Sequence, residues 1–254
     1  MGTLGILTCE ILELEFAHIL NGDPDIKRVA ILEDAQSAHM IETLEAIEPK
    51  QVHRLPVLAS FKPDPNNRIN VIVRVLELGL HNRKQTLQQG LVQAAREMGP
   101  YVDAFLLGYG LCGNAFENPD ELLSDAGVPV FIPMDEDHPV DDCVGLFIGG
   151  RKRYYGEQCK VAGTFFMIPG WTYHWQRMFD QEFGSLSVDL AKRLFKDYER
   201  SLLVSTPVMS ETQMKKNVQE FNSMFGLRTE ACNGRLDILA DTWNAAKDFI
   251  RRLN

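Results

Sequence analysis

The residues of this chain best suited to chemistry are its five cysteines. Cys112 stands in the loop LLGYGLCGN, between Gly110 and Gly113, directly after an apolar run. Because glycine lets the backbone take positive φ or approach another group closely, this frame predicts an accessible thiol rather than a packed one. Cys9 ends the apolar run LGILTC, and Cys143 follows the run VPVFIPM across an acidic loop. Three cysteines are therefore predicted just beyond the carboxyl ends of strands, where parallel α/β sheets bind their ligands.

A metal site is the chemistry that this placement favours. Cys9, Cys112 and Cys143 are the candidate ligands, and His81, which follows another apolar run, is the candidate fourth ligand or acid–base group. Three thiolates and an imidazole make a closed zinc site, whereas three thiolates with an open position suit catalytic zinc or a [4Fe–4S] cluster with one free iron. The spacing does not choose between them, and no CxxC pair is present. The alternative is three small apolar core residues near strand ends.

Acidic residues accompany two of these cysteines. Asp142 is predicted to cap a helix that begins at Cys143, where the helix dipole and free N–H groups favour thiolate over thiol. Glu10 follows Cys9 directly, and Asp141 precedes Asp142. Glu10 and Asp142, with Asp141, are candidates for proton transfer or for orienting ligands.

The glycine loop around Cys112 is the candidate cofactor-binding segment, through Tyr109, Gly110 and Gly113. With Gly108 its spacing also fits GxGxxG, but Pro119 and the acidic run ENPDE disfavour a helix start that cradles phosphate. A dinucleotide site is therefore not the preferred interpretation.

The other histidines and the aromatic residues give weaker signals. His138 lies in the acidic loop before Cys143, whereas four histidines have no such context and are predicted on helix faces or the surface: His18, His39, His53 and His174. The stretch GWTYHWQRMF (170–179) follows a predicted strand. It is interpreted as core or subunit contact, which allows a homodimer, or as the lining of a pocket.

Apolar runs of strand length alternate with helical patterns along the chain. This alternation predicts an α/β fold with a largely parallel sheet and helices on both faces, a three-layer αβα arrangement. We expect a single domain over 1–254. An echo between LTCEILELEF and LCGNAFENPDEL fits two related halves, about 1–100 and 101–254, and fits chance equally well.

Composition and charge exclude several classes of protein. Hydrophobic residues make up 45% and charged residues 24% of the 254 residues, which is typical of a globular chain. The net charge of −9 disfavours a nucleic-acid partner. No apolar run is long enough to span a bilayer, and the start lacks a signal peptide, so a cytoplasmic location is expected. Cysteines in such a compartment are thiols or ligands rather than disulfides.

Several segments in order resemble the domain of unknown function 1638 (DUF1638) family of bacteria and archaea. They are LTCEIL, LHNRKQTLQ, LLGYGLCGNA, the DC of DDCVGLFIGG, GTFFMIPGW and CNGRLDILADTW. On this resemblance Cys9, Cys112, Cys143 and His81 fall where the family places its cysteines and histidine. The family's loop near P-R-x-H-D-C is expanded here to PMDEDHPVDDC, which separates His138 from the cysteine.

The resemblance implies a cytosolic α/β protein associated with corrinoid-dependent methyl transfer from methylamines and related compounds. The first hypothesis is a zinc or iron–sulfur enzyme, or enzyme-like accessory factor, acting on a small molecule in one-carbon or methylated-amine metabolism. The alternative is a non-catalytic protein that binds a metal, a corrinoid or a small ligand for a partner methyltransferase or corrinoid protein. The sequence does not decide whether the chain is an enzyme.

Overall fold

A six-stranded parallel sheet forms the centre of the computed structural model, which describes residues 1–47, 51–78, 80, 84–112, 119–184 and 188–253. Its strands are β1 (Gly2–Cys9), β2 (Arg28–Leu32), β3 (Gln51–Leu55), β4 (Ile69–Leu76), β5 (Ala104–Gly108) and β6 (Val130–Phe131), in the spatial order β3-β2-β4-β1-β5-β6. Every residue of β1 and β5 is buried, as expected for strands covered on both faces. The predicted three-layer α/β fold is confirmed.

Helices follow most of the strands and cover the sheet. The described helices are α1 (Glu13–Gly22), α2 (Ala38–Glu45), α3 (Lys84–Met98), α4 (Pro119–Leu122), α5 (Cys143–Ile148), α6 (Arg151–Lys160), α7 (Pro169–Phe183), α8 (Val188–Leu194), α9 (Glu211–Asn217), α10 (Gln219–Phe225) and α11 (Asp237–Arg252). Within the described part of the chain, no helix has the length and apolar character needed to cross a membrane.

A second, smaller parallel sheet lies in the C-terminal part of the chain. It has the order β11-β10-β9, and a two-stranded antiparallel hairpin stands apart from both sheets. Aromatic side chains, among them Phe165, Phe195 and Phe221, pack beside the smaller sheet in a separate cluster. The strands involved are β7 (Met134–Asp135), β8 (His138–Pro139), β9 (Thr164–Met167), β10 (Arg200–Ser205) and β11 (Arg228–Asn233).

The C-terminal helix ties the end of the chain to its beginning. α11 packs on β1 and β5 of the large sheet. The Trp243 indole N–H donates to the Asp23 carboxylate at 2.7 Å, and the buried Lys247 ammonium donates to the same carboxylate. Burial works to raise the pKa of Asp23, but the hydrogen bonds from Lys247 and Trp243 outweigh it and hold that pKa below its ordinary value.

The long apolar runs predict the positions of two long buried strands correctly. The predictions for shorter or more polar strands are incomplete or wrong. The run INVIVRVL coincides with β4, and LGILTC lies within β1. β3 and β11 carry polar residues and were not predicted. VPVFIPM, expected as one strand, gives only the short β6 and the start of β7. The helix predicted to begin at Cys143 ends at Ile148, where Gly149 and Gly150, with φ of 95° and 89°, separate α5 from α6.

Candidate functional site

Three neighbouring strands of the large sheet bring the three candidate cysteines together. β5 pairs with β1 on one side and with β6 on the other. Cys9 is the last residue of β1, Cys112 lies four residues after β5, and Cys143 begins α5 after the β7–β8 hairpin that follows β6. All three line one cavity of about 540 Å³. Residues far apart in sequence thus meet at the carboxyl edge of a parallel sheet, where ligands of such folds bind.

Backbone hydrogen bonds fasten the loop after β5 to the segment that precedes Cys143. The Leu111 N–H donates to the Val140 carbonyl oxygen, and the Cys112 N–H donates to the Asp141 carbonyl oxygen, both at 2.8 Å. These two contacts join consecutive N–H groups of the loop to consecutive carbonyl groups of the other segment. They hold Cys112 close to the segment that leads into Cys143.

Gly110 is what permits this contact between loops. A Cβ atom at Gly110 would lie 2.7 Å from the Val140 carbonyl oxygen and 2.8 Å from the backbone nitrogen of Asp142. The glycine therefore serves close packing of backbone on backbone, although it also borders the cavity. The residue with positive φ in this loop is Cys112 itself, at 47°, an uncommon conformation for a side chain other than glycine, asparagine or aspartate. Gly113 lies outside the described residues.

The thiols lie in an environment that favours their neutral form. Burial, with smaller effects of nearby negative charge, raises the pKa of Cys9 to about 12. Burial and then Asp142 raise the pKa of Cys112 to about 12 as well. Burial, followed by Asp142 and the other two cysteines, raises the pKa of Cys143 well above its ordinary value. The expected preference for thiolate at Cys143 is wrong, because α5 has only six residues and burial outweighs its dipole.

Asp142 caps α5 as predicted. Its Oδ1 accepts a hydrogen bond from the Gly145 N–H at 2.7 Å, and its Oδ2 accepts one from the Tyr154 hydroxyl at 3.0 Å. Burial raises the pKa of Asp142, against the hydrogen bonds that Gly145 and Tyr154 donate. This carboxylate borders the cavity next to Cys143 and is held in one orientation.

Tyr109 is a buried residue of the cavity lining near the cysteines. It is 4% exposed, lies close to the Cys9 thiol and lines the cavity. Burial and then the neighbouring cysteines raise the pKa of Tyr109 well above its ordinary value. Of the remaining candidate ligands, His81 lies outside the described residues.

The other two acidic candidates, Glu10 and Asp141, form hydrogen bonds and ion pairs away from the cavity. The buried Glu10 carboxylate accepts hydrogen bonds from the Leu78 N–H at 2.7 Å and from the Arg177 guanidinium at 2.6 Å. Asp141 forms a two-bond pair with Arg151, at 2.6 and 3.1 Å. Neither carboxylate borders the cavity.

His138 lies on the β7–β8 hairpin, 3.0 Å from Asp137, and does not border the cavity. Its position on the hairpin separates it from the three cysteines, in keeping with the expansion of the acidic loop.

The far wall of the cavity is aromatic, and the sequence patterns pointed to little of it. Its side chains come from α6, β9, the start of α7 and the segment before β10: Tyr154, Phe165, Phe166, Trp171 and Tyr198. The stretch GWTYHWQRMF supplies Trp171 and Met178 to this wall, while Trp175 is buried and donates its N–H to the Asn217 carbonyl oxygen. α7 approaches so closely because Gly170 has no side chain. A Cβ there would lie 1.9 Å from the Ile11 carbonyl oxygen.

The spacing of the sulfurs bears on the kind of metal centre. Among the described residues, one group of three possible ligands has all its ligand atoms within 4.8 Å, and it is Glu13, His39 and His174 rather than the cysteines. Tetrahedral zinc with Zn–S bonds of about 2.3 Å would hold its sulfurs about 3.8 Å apart. Cysteines that bind different irons of a cluster stand farther apart. The three cysteine sulfurs here do not all lie within 4.8 Å of one another, which is farther apart than a zinc ion would hold them.

Comparison with known proteins gives one match. The sequence profile of the family described as "Protein of unknown function (DUF1638)" matches residues 75–243, more than half of the chain. The matched region includes Cys112 and Cys143 and ends before the last turns of α11. No curated protein and no solved structure matches the chain.

Proposed function

Since the chain belongs to the DUF1638 family, we propose that its three-cysteine cavity holds a metal centre, preferably a [4Fe–4S] cluster with one open iron, and binds a small molecule beside it. The observation that carries the proposal is the convergence on one cavity of Cys9 at the end of β1, Cys112 in the loop after β5 and Cys143 at the start of α5. A bound cation would also deprotonate thiols that are otherwise neutral at this site. With one open iron, the centre would act as a Lewis acid toward a hydroxyl or carboxylate of the small molecule.

The lining of the cavity supports a small molecule that carries a methylated ammonium group beside such a hydroxyl or carboxylate. Aromatic faces recognise alkylated ammonium groups, and five aromatic side chains form the far wall. Among the described residues around the cavity there is no lysine, arginine or histidine, and Asp142 is the one carboxylate. A cationic guest therefore meets no like charge there. A lining suited to a methylated ammonium group agrees with the predicted role in methylated-amine metabolism. The predicted partner, a corrinoid protein or methyltransferase, rests on the family resemblance alone.

A non-catalytic binding role is the second candidate. Asp142 is the one described cavity residue with a carboxylate or amine, and its oxygens already accept hydrogen bonds from Gly145 and Tyr154. These hydrogen bonds cap α5 and orient Tyr154, which favours a positioning role for Asp142. Turnover in the presence of a bound methylated amine would favour the enzyme, and binding without turnover would favour the carrier.

Metal analysis tests the proposal directly. Protein purified without oxygen is assayed for iron, zinc and acid-labile sulfide, together with Cys112→Ala and with Cys159→Ala, an exposed cysteine outside the cavity. We expect iron and sulfide in the wild type and in Cys159→Ala and their loss from Cys112→Ala. Zinc in place of iron and sulfide, present in the wild type and lost from Cys112→Ala, would retain the site and change its centre. A wild type without metal, or equal metal in all three proteins, would refute the proposal.

Ligand binding tests the substrate class. Calorimetric titration with tetramethylammonium is compared with neutral tert-butanol, which has a similar shape without the charge. We expect binding of the cation only, and weaker binding in Tyr198→Leu, which removes one aromatic face. Equal affinity for the two compounds would remove the methylated amine from the proposal without touching the metal centre.

A further inference from the structure

A second group of metal-ligating side chains lies where three helices meet. Glu13 begins α1, His39 lies on α2 and His174 lies on α7. The Glu13 Oε1 atom is 2.5 Å from the His39 Nδ1 atom and 2.7 Å from the His174 Nε2 atom. Burial works to raise the pKa of Glu13, but the hydrogen bonds from His174 and then His39 outweigh it and hold that pKa below its ordinary value.

Only one of the two carboxylate oxygens of Glu13 has hydrogen-bond partners. Its side chain is 1% exposed, and Oε1 takes both contacts with the imidazoles. Oε2 is buried and has no hydrogen-bond partner. A buried carboxylate oxygen without a partner is costly, and such atoms in native structures call for an explanation. A clasp that only joined three helices would place one imidazole on each oxygen.

A bound cation accounts for this arrangement. Zinc is held by imidazole nitrogens at about 2.0–2.1 Å and carboxylate oxygens at about 2.0–2.2 Å, so that its ligand atoms stand somewhat more than 3 Å apart. All three ligand atoms already lie within 4.8 Å of one another. Small side-chain rotations would open the two short contacts, and the unpartnered Oε2 is free to join as a second oxygen ligand.

We propose that Glu13, His39 and His174 form a second, nitrogen- and oxygen-ligated site for a divalent transition metal such as zinc. Two histidines and one carboxylate are the ligand set of catalytic zinc sites that keep a fourth position for water or substrate. The side chain of His39 is 24% exposed and stacks on Tyr173, which is itself 50% exposed, with ring centroids 4.1 Å apart. The site is therefore open to solvent from the His39 side.

This site is separate from the three-cysteine cavity. None of its three ligands borders that cavity. The two sites share α7, because Trp171 and Met178 line the cavity and His174 lies between them in the sequence. The 3-10 helix Glu10–Leu12 likewise joins Cys9 to Glu13. The second site does not depend on a metal at the cysteines.

Cobalt titration tests the second site. Tag-free protein is stripped with a chelator and titrated with Co²⁺, which reports its ligands by absorption. Thiolate ligands give a charge-transfer band, and nitrogen and oxygen ligands give only the weak d–d bands. We expect Cys112→Ala, in which the three-cysteine site is lost, to bind one equivalent of Co²⁺ with d–d bands and no thiolate band; a thiolate band that appears in the wild type alone belongs to the cysteines. We also expect Zn²⁺ to displace this cobalt.

Histidine variants assign the ligands. His174→Gln and His39→Gln are each expected to weaken Co²⁺ binding by more than about tenfold. His18→Gln removes an exposed histidine from α1 and should leave binding unchanged. Binding equal to wild type in both ligand variants would overturn the proposal. If those variants fail to fold, the Cys112→Ala spectrum still decides, because the absence of thiolate-free d–d bands there would overturn the proposal equally.

Discussion

The Cys112 backbone N–H donates a hydrogen bond to the Asp141 carbonyl oxygen, with an N···O distance of 2.8 Å. Through this contact the loop that carries Cys112 and the segment that leads into Cys143 form one rigid edge of the cavity. The contact exists only because Gly110 lets the two backbones approach. The relative positions of two candidate ligands are thus set by a residue with no side chain.

We expect Gly110→Ala to separate these two segments. The new methyl group would lie under 3 Å from backbone atoms of Val140 and Asp142, so the free energy of unfolding should fall by about 1–3 kcal/mol and metal content should fall with it. Gly156→Ala is the control, since a Cβ there meets nothing within 4 Å and alanine favours the helix α6. Denaturant unfolding and metal analysis measure both effects. Full metal content in Gly110→Ala would contradict the positioning role.

Asp142→Ala should affect both stability and the cavity. Loss of the cap is expected to lower the free energy of unfolding by about 1 kcal/mol, with a smaller loss in Asp142→Asn. Ser210→Ala removes the cap of α9, whose hydroxyl accepts from the Gln213 N–H, far from the cavity lining. We expect Ser210→Ala to lose similar stability but to keep its metal content and ligand affinity. Losses of metal or ligand affinity in Asp142→Ala would then be effects on the cavity rather than results of lower stability. Equal metal and ligand binding in Asp142→Ala and Ser210→Ala would leave Asp142 a structural cap alone.

Glu10→Gln should weaken the fold without emptying the three-cysteine site. The amide would present an NH₂ group to Arg177 or to the Leu78 N–H in place of a carboxylate oxygen, at a cost of about 1–3 kcal/mol. Glu45→Gln, which loosens an exposed pair with Arg54, should change stability much less. Metal content is the deciding measurement. A Glu10→Gln protein of wild-type stability that lost its ligand affinity would restore Glu10 to the site.

The Asp23–Lys247 pair predicts a defined pH dependence. Asp23→Asn leaves the buried Lys247 ammonium with Asp25, 3.4 Å away, so we expect a loss of about 2 kcal/mol at neutral pH, less than for a fully broken buried pair. Because the folded-state pKa of Asp23 is lowered, this stability is present above its ordinary value of 3.8 and is lost as the pH falls through the folded-state pKa. The difference between wild type and variant should therefore shrink as the pH is lowered from about 5 toward 3.

Unfolding of wild type, Asp23→Asn, Lys247→Met and the double variant at several pH values measures this coupling. Asp125→Asn, in an exposed pair with Arg96, is the control and should show little effect. A difference between wild type and Asp23→Asn that stays constant down to pH 3 would show that the charge of Asp23 does not stabilise the fold.

The sequence by itself determined those features that depend on neighbouring residues. Continuous apolar runs predict buried parallel strands, which is why β1 and β4 were located, and an aspartate before an apolar run predicts a helix cap, which is why Asp142 was assigned correctly. The prediction that Cys9, Cys112 and Cys143 lie beyond strand ends depends on these local sequence patterns alone.

Tertiary structure alone decided which strand ends adjoin, because sheet order depends on how helices pack across the whole chain. The neighbouring positions of β1 and β5, with the backbone hydrogen bond between Cys112 and Asp141, gather the three cysteines on one cavity. His174 meets Glu13 across a separation of 161 residues, and neither histidine of that cluster has a neighbouring motif. Glu10, although next to Cys9, turns away because Arg177 and the Leu78 N–H hold its carboxylate. Side-chain direction at such positions is set by partners that only the folded chain supplies.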